Sequence, residues 1–249
     1  MHALVDLWHW LTGTVLAAQA APPRALVAGT AALALLAVVP RLPWRTARHI
    51  ITIAHEGGHG LAALLTGRRL SGIRLHSDTS GLTVSSGRPT GPGMAVTLLA
   101  GYLTPSLLGL GGAELLAHRR VTALLWTALV LLPAMLLMIR NAFGVLSVTV
   151  TAAIVFVVSW FAPPEVQAAF AFFGVWFLLV GGVRPVFELQ RTRRGHRMPD
   201  SDADQLGRLT RVPPLLWVGF FLLVNTACLV AGVWLVLRGM GIALPAAPS

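Results

Sequence analysis

Residues 49–65 read His49-Ile-Ile-Thr-Ile-Ala-His55-Glu56-Gly57-Gly58-His59-Gly60-Leu-Ala-Ala-Leu-Leu65. A run this long and apolar reaches across a bilayer core, for which about 17 residues suffice. Its middle nevertheless holds two imidazoles and a carboxylate. Such groups are costly in lipid unless partnered, so an intramembrane ionisable cluster marks a functional site. The order is H-E-x-x-H. On a helix, His55 and His59 stand one turn apart on the same face, and both rings can converge on one tetrahedral Zn2+. Glu56 projects from the adjacent face, where its carboxylate can take a proton from water at the metal. The competing reading makes the two histidines packing residues and Glu56 a neutralised structural acid. Gly57, Gly58 and Gly60 allow a second helix to approach closely.

The remainder of the chain agrees with a membrane setting. Only 11% of its 249 residues are charged, against about 25% in a soluble domain. That excludes a soluble enzyme, a disordered tail and a disulfide-stapled secreted domain. The single cysteine, Cys228, excludes an internal disulfide and a cysteine metal cage; in its apolar run it reads as a small hydrophobe. The formal net charge is +10, and every basic residue is an arginine. These arginines lie between apolar runs, which fits lipid headgroups rather than nucleic acid.

Apolar segments at 24–40, 50–66, 93–116, 121–139, 145–162, 166–187 and 213–237 predict an all-α polytopic membrane protein with six to seven transmembrane helices. Residues 24–240 read as a single domain, with a C-terminal tail at 241–249. Residues 1–23 read as an N-terminal interfacial amphipathic segment, because Leu4, Trp8, Leu11 and Val15 recur at helical spacing beside Trp10. Ala18-Gln19-Ala20 resembles a signal-peptidase site, but no Arg precedes it and Asp6 does, so cleavage is not expected. Residues 68–88 carry β-branched, Gly and Ser-rich runs around Ser77-Asp78-Thr79-Ser80-Gly81 and predict a short β-hairpin after the second span. Residues 189–212 form a polar loop, basic first and acidic next. The arginine distribution favours placing Arg24, 68–88, Arg140 and 184–211 on the cytoplasmic side, with Arg41, Arg45, Arg48, Arg119, Arg120 and Arg238 opposite.

Two histidines and a water leave a tetrahedral zinc one ligand short. The chain has nine acids. Asp6 lies in the amphipathic segment, and Glu114, Glu165 and Glu188 lie near span ends. Asp200, Asp202 and Asp204 remain, in Pro199-Asp-Ser-Asp-Ala-Asp-Gln-Leu, as either the third ligand or a solvated capping cluster. If the last helix begins near Ser201, Asp202 falls in its first turn, where the macrodipole favours a carboxylate. His76 and His196 are weaker candidates. Asn141 and Asn225 fit interhelical hydrogen bonds, and Tyr102 and the tryptophans fit interface belts.

An H-E-x-x-H in an early span, a polar hairpin and a late Asp at a helix start resemble the site-2 protease family of intramembrane zinc metalloproteases. The likeness is greatest to its small bacterial and plant branch without a PDZ domain. Ala100-Gly101-Tyr102-Leu103-Thr104-Pro105, Arg140-Asn141-Ala142-Phe143-Gly144 and Ser201-Asp202-Ala203 are similar to that branch, and the likeness covers most of residues 45–225. The resemblance implies His55 and His59 as zinc ligands, Glu56 as catalytic base and Asp202 as third ligand. It also implies a membrane-protein substrate, and a multi-pass location in the bacterial cytoplasmic membrane. One departure is plain: better-known members carry Asp-Gly at the third ligand, and no Asp here precedes Gly.

The function expected is hydrolysis of a peptide bond in or near a substrate's transmembrane segment, with the hairpin edge as a berth for the unwound strand. Two other classes use the same residues. One is a catalytically silent metal- or partner-binding scaffold. The other is a small transporter relaying protons or metal ions, although no second half of the chain repeats the first.

Overall fold

The computed structural model describes residues 5, 6, 8, 9, 11–195 and 198–242. Leu4, Trp10, the side chain of Leu11, His196 and tail residues 243–249 lie outside them. A π-helical turn, Leu11–Val15, precedes α1 (Arg24–Val38), α2 (Arg41–Leu65), β1 (Arg69–Leu75) and β2 (Gly81–Ser86). Then follow α3 (Pro92–Ala117), α4 (Val121–Leu136), α5 (Ala142–Phe161), α6 (Pro164–Gly195), α7 (Asp202–Thr210) and α8 (Pro214–Gly239).

Four helices, α3, α5, α6 and α8, are long and apolar enough to cross a membrane, and α1 with α2 forms a fifth unit bent by 101°. The six to seven spans expected thus become four to five. The first reason lies at Pro40, which precedes α2. It has no N–H to continue α1, and its ring excludes the preceding turn. Segments 24–40 and 50–66 are therefore arms of one bent unit. The second reason is length. Helix α4 has 16 residues, about 24 Å, short of a hydrocarbon core of about 30 Å.

The bend also changes the sidedness. Arg48 Nη2 lies 3.6 Å from Glu188 Oε2 of α6, so Arg41–Arg48 belong at the same end as Arg184–Arg194, not opposite it. The polar stretch 189–212 is not one loop either. Helix α6 runs on to Gly195 and α7 is a separate short helix, so Asp202 starts α7 and not the final span.

Helices α3, α6 and α8 pack through small residues. Leu179 of α6, fully buried, fits between Gly109 of α3 and Gly232 of α8; a Cβ would fall 2.9 Å from its Cγ at the first and 2.5 Å from its Cδ1 at the second. Such close approach lets dispersion contacts accumulate where lipid offers no hydrophobic gain. Cys228 is buried and unbonded in this core. Asn225 is also buried, and neither amide atom has a hydrogen-bond partner among the described residues.

The antiparallel hairpin lies along α2. Thr52 Oγ1 donates to the Thr79 carbonyl (2.9 Å), so the hairpin tip folds back beside the middle of the helix. Strand β1 is flanked on its far side as well. Ile73 N donates to Met138 O and Arg140 N to Ile73 O (2.8 and 2.9 Å), making a parallel bridge at Ile139. Asn141 extends this clamp, accepting from Leu75 N (3.1 Å) and donating to Leu75 O (2.7 Å).

Candidate metal centre

The centre begins at the crossing of α2 and α3. Three glycines within four residues cost α2 about 1 kcal/mol each in helix propensity, and packing offsets this. A Cβ on Gly58 would fall 2.6 Å from Thr104 Cβ and 2.9 Å from the Ala100 carbonyl oxygen. With no side chain there, α3 approaches far enough for its backbone to bond a histidine. His59 Nδ1 lies 2.6 Å from the Thr97 carbonyl. A carbonyl only accepts, so Nδ1 carries a proton, and the Nε2 lone pair is the one left to bind a metal at the site.

That lone pair has company. His55 Nε2 is 3.1 Å from His59 Nε2, and Asp202 Oδ2 is 3.4 and 3.3 Å from the two nitrogens. Bonds of 2.0–2.1 Å around a tetrahedral zinc give ligand–ligand edges of about 3.3 Å. The three atoms therefore form a face of such a tetrahedron, and these residues could hold a metal ion. Two nitrogens and a carboxylate oxygen turned toward one point also repel one another unless a cation lies among them, so the donor set fits zinc.

Asp202 reaches this point because α7 is anchored on both sides. Ala203 and Leu206 are fully buried beside Leu98, Val186 and Phe221. Ser201 caps the helix, accepting from Asp204 N (3.2 Å). The other two acids of the trio are elsewhere. Asp200 is exposed, and the Asp204 carboxylate bonds Arg193 and the Ser201 hydroxyl. His76 sits at the hairpin tip, 3.3 Å from Ser80 Oγ, away from the cluster.

Glu56 is buried and faces the hairpin. Thr83 Oγ1 of β2 donates to its Oε2 (2.6 Å). A Cβ on Gly81 would lie 2.5 Å from Glu56 Cγ and Oε1, so a glycine is needed at that end of β2. Thr83 pairs with Ile73, whose backbone groups are turned to residues 138–140. Because pairing alternates along an antiparallel ladder, the N–H and C=O of Thr83 point away from β1. The same alternation turns out those of Gly81 and Ser85. Strand β2 thus presents the hairpin's open edge beside Glu56.

Four contributors were given no place at the centre by the sequence: the Thr97 carbonyl, Gly101, Tyr102 and Thr83. Tyr102 belongs to the centre and not to an interface belt. Its ring meets His55 edge-on (centroids 4.8 Å apart) and stacks on Phe221 (5.0 Å). The signal was the likeness of the Ala100–Pro105 segment to the family branch, with Gly101 one turn from Thr97 on α3. Thr83 had a weaker signal, its place in the predicted hairpin.

The sequence matches the peptidase M50B-like family model over residues 28–232. No curated protein and no solved structure matches it. With the match running from α1 into α8, the chain belongs to the peptidase M50B-like family, the site-2 protease type of membrane metallopeptidase.

Proposed function

We propose that this protein is an intramembrane zinc endopeptidase, hydrolysing a peptide bond in or near the transmembrane segment of a membrane-protein substrate. A bacterial cytoplasmic membrane is the location we propose for it. The observation that carries the reading is the donor triangle of His55, His59 and Asp202 beside a buried carboxylate. In this reading those three residues hold the zinc, which when bound supplies Lewis acidity and lowers the pKa of water to about 7.

The chain's own groups then have distinct tasks. Glu56 is the base: it takes the proton as water attacks the scissile carbonyl and returns it to the amine as the C–N bond breaks. Thr83 fixes the carboxylate through Oε2, leaving Oε1 for the water. The Thr97 carbonyl fixes the His59 tautomer. A helical substrate shields its own carbonyls, so the segment must first unwind, and the outward backbone groups of Gly81, Thr83 and Ser85 give the extended strand hydrogen bonds beside Glu56.

The test is Glu56→Gln in proteoliposomes with a single-span reporter substrate. We expect cleavage to fall roughly 10²–10⁴-fold, the usual worth of a general base, with zinc content unchanged. Undiminished turnover removes Glu56 from the base role, and a wild-type protein that holds no zinc defeats the reading as a whole.

A further inference from the structure

Away from the metal centre, a cavity of about 400 Å³ opens between the first two turns of α2 and the last third of α6. Five arginines line it: Arg41, Arg45 and Arg48 from α2, and Arg184 and Arg191 from α6. One acid, Glu188, faces them, and its charge is already committed. Glu188 Oε1 accepts from Arg184 Nε (3.0 Å) and from Trp44 Nε1 (2.8 Å), and Oε2 lies 3.6 Å from Arg48. Arg184 is held further, donating to the carbonyls of Val38 and Val39 at the α1–α2 bend and lying over the Trp44 ring (4.8 Å).

Arg41, Arg45 and Arg191 are different. All three are exposed, and none makes a side-chain hydrogen bond or ion pair among the described residues. Three unpaired guanidinium groups converging on one concavity repel each other and call for an anion. Arginine forks match the paired oxygens of a phosphate.

The surroundings select the kind of phosphate. The cavity lies where the apolar run of α6 gives way to Glu188-Leu-Gln-Arg-Thr-Arg-Arg194. Phe187 on its wall is 57% exposed and the nearby Leu42 is 79% exposed, apolar surface suited to acyl chains. We propose that this cavity binds the phosphate of an anionic lipid headgroup, clamping α2 to α6 beside the bend. This does not rest on the peptidase reading.

The experiment follows thermal unfolding of the full-length protein in detergent, titrated separately with phosphatidylglycerol, phosphatidylcholine and inorganic phosphate. Phosphatidylglycerol should raise the midpoint of the wild type, and the other two should not. The triple variant Arg41→Gln/Arg45→Gln/Arg191→Gln should need roughly a hundredfold more phosphatidylglycerol, about fivefold per arginine. A control stripped of Arg24, Arg119 and Arg120 should titrate like the wild type. The proposal is overturned if the triple variant also titrates like the wild type, if the control loses as much, or if phosphatidylcholine works equally well. Inorganic phosphate reproducing the shift would make this a soluble-anion site and overturn the lipid assignment. Should the triple variant not fold, Arg41→Gln and Arg191→Gln alone should each cost about fivefold, and no change in either overturns the proposal.

Discussion

Gly101 faces His59 with no atom between them: a Cβ on residue 101 would stand 2.5 Å from His59 Cε1 and 2.7 Å from His55 Nε2. Zinc bonds imidazole nitrogen at about 2.0–2.1 Å, so a methyl group there would intrude on the space both nitrogens address. Gly101→Ala should lower zinc affinity by about 10- to 100-fold or more, the scale of disturbances just outside a ligand set. Zinc content after dialysis against a weak chelator measures it, and unchanged retention would show that the residue 101 side can yield.

The three acids around α7 should separate cleanly. Asp202→Ala should abolish zinc retention, whereas Asp200→Ala and Asp204→Ala should keep it, because one carboxylate is exposed and the other is engaged with Arg193 and Ser201. Metal analysis of the three purified variants decides. Loss from Asp204→Ala with retention in Asp202→Ala would reverse the assignment.

Thr83 offers a test that leaves the donor triangle untouched. Thr83→Val keeps the shape of β2 but removes the hydroxyl that orients Glu56. The turnover number should fall roughly 10- to 100-fold, as for other partners that orient a working group, with zinc unchanged, and Thr83→Ser should restore most of it. Equal activity of the Val and Ser forms would detach Thr83 from the chemistry.

The open edge of β2 can be blunted at Ser85. Proline there removes one outward N–H while leaving the ladder to β1, a substitution that edge strands tolerate. One lost hydrogen bond of about 0.5–1.5 kcal/mol should raise KM roughly 2- to 10-fold with the turnover number little changed. A fall in turnover at constant KM would mean that substrate does not lie along this edge.

The local chemistry was legible in the sequence because H-E-x-x-H encodes its own geometry: helical spacing alone puts His55 and His59 on one face. The hairpin was legible for a similar reason, its Gly- and Ser-rich turn lying between β-branched runs. What hydropathy does not carry is direction. Nothing in the apolar count of residues 24–66 distinguishes two spans from one unit broken at Pro40, and that error propagated into the sidedness of Arg41–Arg48. Nor does composition separate Asp200, Asp202 and Asp204. Asp200 precedes α7, and which of Asp202 and Asp204 turns to the histidines depends on the buried face of α7, set by the contacts of Ala203 and Leu206 with α3, α6 and α8. Thr83 and the Thr97 carbonyl were hidden because each acts through a partner distant in the chain.

The donors of the triangle come from opposite ends of the polypeptide, two from α2 and one from α7. An ion seated among them is therefore a removable staple, tying a nine-residue helix that is too short to persist alone to the bent unit near the N-terminus. Chelation should do more than silence chemistry. It should free the α7 segment, speed amide exchange at Ala203–Leu206 and lower the melting midpoint by an amount that grows with the free-zinc concentration withdrawn.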